Sequence, residues 1–129
     1  MVTEQGVAVH DDLISELKNK YPGVFSCIQR AECGNGWYWI LDALGEGLSG
    51  QASSQPIPSI TLLKEKFGLL RFGKVLPSPE HKGLFVMATL MSARTCEICG
   101  SVGRMQDNGR RVRCPFHAQV IDTQSGNRR

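Results

Sequence analysis

The sequence predicts an α+β fold: about three helices packed on a short antiparallel β-hairpin, with a zinc ribbon at the C-terminus. Three observations carry this reading. Apolar residues recur at helical spacing in three separate stretches before residue 95. Between the second and third of these, two short apolar runs flank Phe67-Gly68, which is a hairpin pattern. Beyond residue 95 the chain carries Cys-x2-Cys, fourteen intervening residues, and Cys-x2-His. The expected organisation is a body over 1–93, a ribbon module over 94–121 and a flexible tail over 122–129. With 129 residues, 41% hydrophobic and 21% charged, the composition is that of a globular chain and excludes wholesale disorder.

The first helix is expected over 10–21, with Asp11 or Asp12 as cap and Leu13, Ile14, Leu17 and Tyr21 on one apolar face. Pro22-Gly23 should end it. Val24 to Ile28 is a short apolar stretch of undecided type. A second helix is expected from Trp37 to Leu48 after the Asn35-Gly36 turn signal, with Gly45 and Gly47 weakening its end. Residues 49–58 read as a loop. Strands are expected near 60–66 and 69–75. Ser78-Pro79 then opens a third helix reaching about Arg94, with Ser78 as cap and Pro79 at its first position. Leu84, Phe85, Ala88 and Met91 supply its core face, with Met87 beside them.

The net charge of +3 is divided unevenly. Residues 1–93 sum to −1, whereas residues 94–129 carry seven Arg and three acids for +4. An Arg-rich end on a near-neutral body suits a phosphate or acidic partner, or simply a solvated tail. The N-terminus shows no basic and apolar signal pattern, and no apolar run reaches 18 residues, so neither secretion nor membrane spanning is expected. Five cysteines without a signal pattern fit a reducing, cytoplasmic setting. Cys27 reads as a small buried hydrophobe, and Cys33 as a structural loop residue.

The chemistry is concentrated in residues 96–117. Structural zinc takes four soft or borderline ligands in a tetrahedron, and Cys96, Cys99, Cys114 and His117 provide that set. A Cys-x2-Cys turn presents two sulfurs from one backbone knuckle, and Gly100 lets the chain relax around them. Asp107-Asn108-Gly109 supplies a type I′ turn that brings the second ligand pair back to the first. An iron–sulfur site is the competing metal chemistry, and the lone His favours zinc. Four ligands close the coordination shell, so the ion would be structural. Arg104, Arg110, Arg111 and Arg113 lie on the same hairpin, and Arg111 and Arg113 should project together as a face able to grip phosphates or carboxylates. Polar cover around a metal site is the alternative use of that face. His10 and His81 have no partner at a motif spacing, and His81 is expected to be exposed. Carboxylates are scattered, with no pair suggested.

The segments GNGWYWILDAL at 34–44, KEKFGLLRF at 64–72 and SARTCEICG…RCPFHA within 92–118 together resemble a family of small proteins of bacteria and their phages. The resemblance covers most of the chain from Pro22 to His117. That family has a Trp and a Thr before the third cysteine, where this chain has GRRVR at 109–113. The resemblance implies phage or prophage association and a bound metal, and it carries no activity with it. The leading expectation is a non-enzymatic protein acting stoichiometrically on a macromolecular partner, in the form of a counter-defence, anti-CRISPR-like inhibitor. A nucleic-acid-binding regulator using the ribbon arginines is the alternative. A metal-dependent nuclease with a carboxylate or His81 site ranks below both.

Overall fold

The computed structural model of the protein describes residues 11–50, 56–73, 75–106 and 111–119. His10, the Asp107-Asn108-Gly109 turn, Arg110 and the tail at 122–129 lie outside the described residues. The fold is mixed α+β, with four α-helices among the described residues and two small sheets.

Helix α1 spans Asp11–Lys20 and buries Leu17, with Leu13 and Ile14 partly buried against the core. Pro22 ends this helix but also begins the next. A proline costs nothing at a first helical position, where its missing N–H has no partner to lose. Helix α2, Pro22–Phe25, is a single turn that buries Val24 and Phe25 completely. These two take the core positions, and Cys27, expected inside, is exposed instead.

Strand β1, Arg30–Glu32, has no counterpart in the sequence reading. Three residues show no periodicity, and its partner lies 32 positions away. It pairs in parallel with β2, Leu62–Lys66, in the register Arg30↔Leu62 and Glu32↔Lys64. Parallel neighbours need a crossover, and helix α3, Tyr38–Ser49, supplies it after a 3-10 turn at Asn35–Trp37. Its end holds despite Gly45 because that glycine is buried under the Tyr21 and Phe25 rings. Strand β3, Leu69–Phe72, closes the expected hairpin on β2, giving the order β1-β2-β3. One sheet face carries Leu63, Leu70 and Phe72 toward the helices, while Arg30, Glu32, Lys64, Lys66 and Arg71 occupy the other.

Helix α4, Pro79–Ser92, packs on α3 and β3. Its buried residues are His81, Phe85, Ala88 and Ser92, a single stripe at helical spacing. His81 was expected in solvent, yet it is 1% exposed because it falls on that stripe. Among the described residues nothing pairs with its Nε2 atom. Ser78 stands at the N-cap, but its hydroxyl makes no capping bond and lies 3.4 Å from His81 Nδ1. Met87 is exposed, not packed in the core. No helix among the described residues is long and apolar enough to cross a membrane.

The outer edge of β3 is covered by α4. Ser92 Oγ accepts the Leu70 N–H at 2.9 Å, and Thr89 Oγ1 donates to the Leu70 carbonyl at 3.1 Å. A helix therefore satisfies backbone groups that an open edge would offer to another chain. Ser92→Ala strands the buried Leu70 N–H and should lower unfolding free energy by about 1–3 kcal/mol. Urea denaturation checks this, and an unchanged midpoint would show that the edge is not held this way.

Candidate metal centre

After α4 the chain enters a knuckle whose backbone is set by local geometry. Thr95 bridges Val102, the Cys96 N–H donates to the Ser101 carbonyl at 2.7 Å, and the Gly100 N–H donates to the Cys96 carbonyl at 2.9 Å. Gly100 has φ +86°, a left-handed conformation that glycine adopts without strain. Strand β4, Arg104–Met105, then pairs antiparallel with β5, Val112–Arg113, in the register Arg104↔Arg113. That pairing returns the chain to the knuckle, and Cys114 follows immediately. His117 starts a 3-10 turn over His117–Gln119, while the Ala118 N–H donates to the Cys114 carbonyl at 2.8 Å.

Cys96, Cys99, Cys114 and His117 thereby come together, with one ligand atom from each inside a span of 4.8 Å. Cys99 Sγ lies 3.7 Å from Cys114 Sγ, and His117 Nδ1 lies 3.7 Å from Cys96 Sγ and 3.3 Å from Cys114 Sγ. Three thiols and an imidazole at this separation could hold a metal ion. The donors differ in readiness. Burial opposes ionisation of Cys99, but hydrogen bonds from Ser101 and from neighbouring thiols outweigh it and bring the thiol down to about 6. Burial pushes Cys96 up, and the amides of Cys99, Cys114 and Ile98 partly offset that rise. Cys33 is different. Burial, followed by the fields of Glu97 and Glu65, raises its thiol far above the usual range, which leaves it inert.

The centre is fastened to the body by the residue between its first two ligands. The Glu97 carbonyl accepts the Gly36 N–H at 2.7 Å, and Glu97 Oε2 accepts the Gly34 N–H at 3.0 Å. Trp37 Nε1 donates to the Thr95 carbonyl at 2.9 Å. At Gly36 an added Cβ would lie 2.6 Å from the Glu97 carbonyl carbon, so the backbones approach more closely than any side chain permits. In sequence Asn35-Gly36 is a turn signal, and the fold adds a close backbone approach at Gly36. The paired glycines before a Trp were the available sign of a close backbone approach.

Of the described ribbon arginines, Arg111 and Arg113 do not lie on the solvated face expected of them. Arg111 bonds Glu65 Oε1 at 3.1 Å and Glu97 Oε1 at 3.4 Å, with its side chain 16% exposed. Arg113 is buried. Burial raises the Glu97 carboxyl, Glu65 raises it further, and Arg111 pulls it back. Glu65 Oε2 also accepts the Gly68 N–H at 2.7 Å, so Arg111 ties the metal knuckle to the hairpin turn. The carboxylates had no reason to be paired in sequence, since 32 positions separate them. Arg104 alone of the described ribbon arginines is exposed, beside an open cleft lined with Arg113, Val102 and Pro115. Comparison with protein-family models, with curated proteins and with solved structures returns no match.

Gly36→Ala should cost about 2–3 kcal/mol, because the obstacle is backbone and cannot rotate away. Denaturant melting checks it, and wild-type stability would remove the close approach from the argument. Arg111→Ala leaves two poorly solvated carboxylates facing one another and should cost about 3 kcal/mol. Adding Glu65→Gln should recover part of that loss in a double-mutant cycle. Strictly additive effects would show that the three groups do not act together.

Proposed function

We propose that this chain is a non-enzymatic, zinc-stabilised binding protein that acts stoichiometrically on a macromolecular partner in the cytoplasm. The observation that carries the reading is the donor quartet. Zinc bonds of about 2.3 Å to sulfur and about 2.0–2.1 Å to nitrogen give a tetrahedron with edges of roughly 3.5–3.8 Å. The two separations of 3.7 Å between these donors match such edges, and the 3.3 Å from His117 Nδ1 to Cys114 Sγ is slightly shorter. A span of 4.8 Å leaves room for one ion and none for an iron–sulfur cage. Cys96, Cys99, Cys114 and His117 would complete the coordination shell of that ion, leaving no position for a reacting water. Bound zinc would supply folding energy to a two-stranded ribbon too small to build its own core.

Arg111 is engaged by Glu65 and Glu97, which disfavours the ribbon arginines as a phosphate grip. The family resemblance points to a partner in the contest between phage and host, in the form of a defence effector complex that this chain inhibits. Elemental analysis of the purified chain should find one zinc per molecule, and Cys99→Ser should lose it. Chelation should lower the melting temperature by about 10 °C or more. It should also shift the fluorescence of Trp37, which hydrogen-bonds Thr95, and of Trp39, whose Cδ1 would lie 3.6 Å from a Cβ at Gly100. A metal-free chain with unchanged melting overturns the zinc assignment. Capture from defended host cells should recover a stoichiometric defence component. Capture of none, with no change in phage survival, overturns the counter-defence role.

A further inference from the structure

The segment KEKFGLLRF folds into the β2–β3 hairpin, and its outward face is unusual in two ways. Lys64 and Arg71 stand directly opposite one another across the strands. Like charges in that register repel. Neither has an ion pair among the described residues. Lys66 follows on the same face, its ammonium 5.9 Å from the centre of the Phe67 ring. On the neighbouring strand Arg30 and Glu32 neutralise each other through an ion pair. Among the described residues, Lys64, Lys66 and Arg71 are thus the cations of this face without an ion pair.

The second feature is the turn itself. Phe67 has φ 55° and Gly68 has φ 82°, so both central residues are left-handed. Asn or Gly is the unstrained choice at the first of these positions, and a bulky aromatic there is uncommon. The ring does not compensate by packing, since Phe67 is 66% exposed. A like-charged cross-strand pair and a strained, largely exposed aromatic therefore coincide on one hairpin.

From this we infer that the outward face of the β1-β2-β3 sheet binds single-stranded nucleic acid, with Lys64 and Lys66 following the phosphate backbone along β2, Arg71 beside Lys64 adding a further phosphate contact, and Phe67 stacked on an unpaired base. Residues two apart on a strand lie about 6.7 Å from each other, similar to consecutive phosphates of an extended single strand. Cations that track the backbone beside an aromatic platform are the general design of such surfaces. A duplex keeps its bases stacked inside and offers nothing to the exposed ring. An acidic peptide would pair with the cations but leave the ring unused. This inference goes beyond the proposed function by adding a single-stranded nucleic acid ligand to the partner proposed there.

The test uses the full, metal-loaded chain and a fluorescein-labelled oligothymidylate followed by anisotropy. Binding should be saturable at about 50 mM salt and weaken steeply as salt rises. The Lys64→Ala/Arg71→Ala double variant should reduce the slope of log affinity against log salt by about 1.4. Phe67→Ala should weaken binding by about tenfold without changing that slope. Lys82→Ala, on the exposed side of α4, should change neither. If Lys64→Ala/Arg71→Ala melts early, Lys66→Ala alone should still lower the slope by about 0.7. No binding by the folded, metal-loaded chain overturns the inference, as does tighter binding to a duplex competitor. A slope reduced by Arg104→Ala and untouched by the hairpin variants also overturns it, by moving the site to the ribbon. Zinc content and partner capture measured on the same preparation separate the outcomes. If both persist without oligonucleotide binding, this inference fails and the proposed function stands.

Discussion

The peptide between Cys96 and Glu97 lies against the backbone of Gly34 to Trp37, and the remaining contacts of the C-terminal half are arranged around that approach. Two hydrogen bonds from glycine amides and one from an indole hold the knuckle where no side chain could intervene. Glu97 carries most of it. Its carbonyl and its carboxylate face the body, while the cysteine before it faces the metal centre. A buried carboxylate in this position is expensive unless compensated. Arg111 compensates it, and the Gly34 N–H takes part of the remaining demand.

This arrangement couples three distant stretches of chain. Arg111 comes from the ribbon, Glu97 from the knuckle and Glu65 from the hairpin, whose turn Glu65 also braces at Gly68. The candidate metal site and the hairpin turn are thereby linked through a chain of side-chain contacts. An ion that fixes the knuckle also fixes Glu97, then Arg111, and through it the turn that presents Phe67. The energy of a closed metal site would thus reach the face proposed to bind the partner without any ligand touching that partner.

The positive charge is divided in an unexpected way. The sequence concentrates arginine in the last quarter of the chain, yet the fold turns Arg111 and Arg113 inward and uses Arg111 against carboxylates. The lysines and arginine of the hairpin are fewer, and they sit in a near-neutral body. Strand alternation puts them on the outward face, where the described residues form no ion pair with them. Net charge by segment therefore pointed to the ribbon, while the pattern of pairing points to the sheet.

The sequence by itself determined the α+β class, the hairpin around Phe67-Gly68, the helices over most of their length and the Cys/His quartet that could hold a metal ion. Each depends on spacing within a short window: helical or alternating periodicity, a turn dipeptide, two cysteines on one knuckle. Tertiary structure alone decided the parallel strand at Arg30–Glu32, the burial of His81, the exposure of Cys27 and the inward turn of Arg111. Three residues carry no periodicity. A histidine on an apolar stripe is indistinguishable by type from one in solvent. An arginine's partner depends on which surface its strand is laid against. Local patterns are written in neighbouring residues, whereas pairings across 14 to 63 positions exist only once the chain has packed.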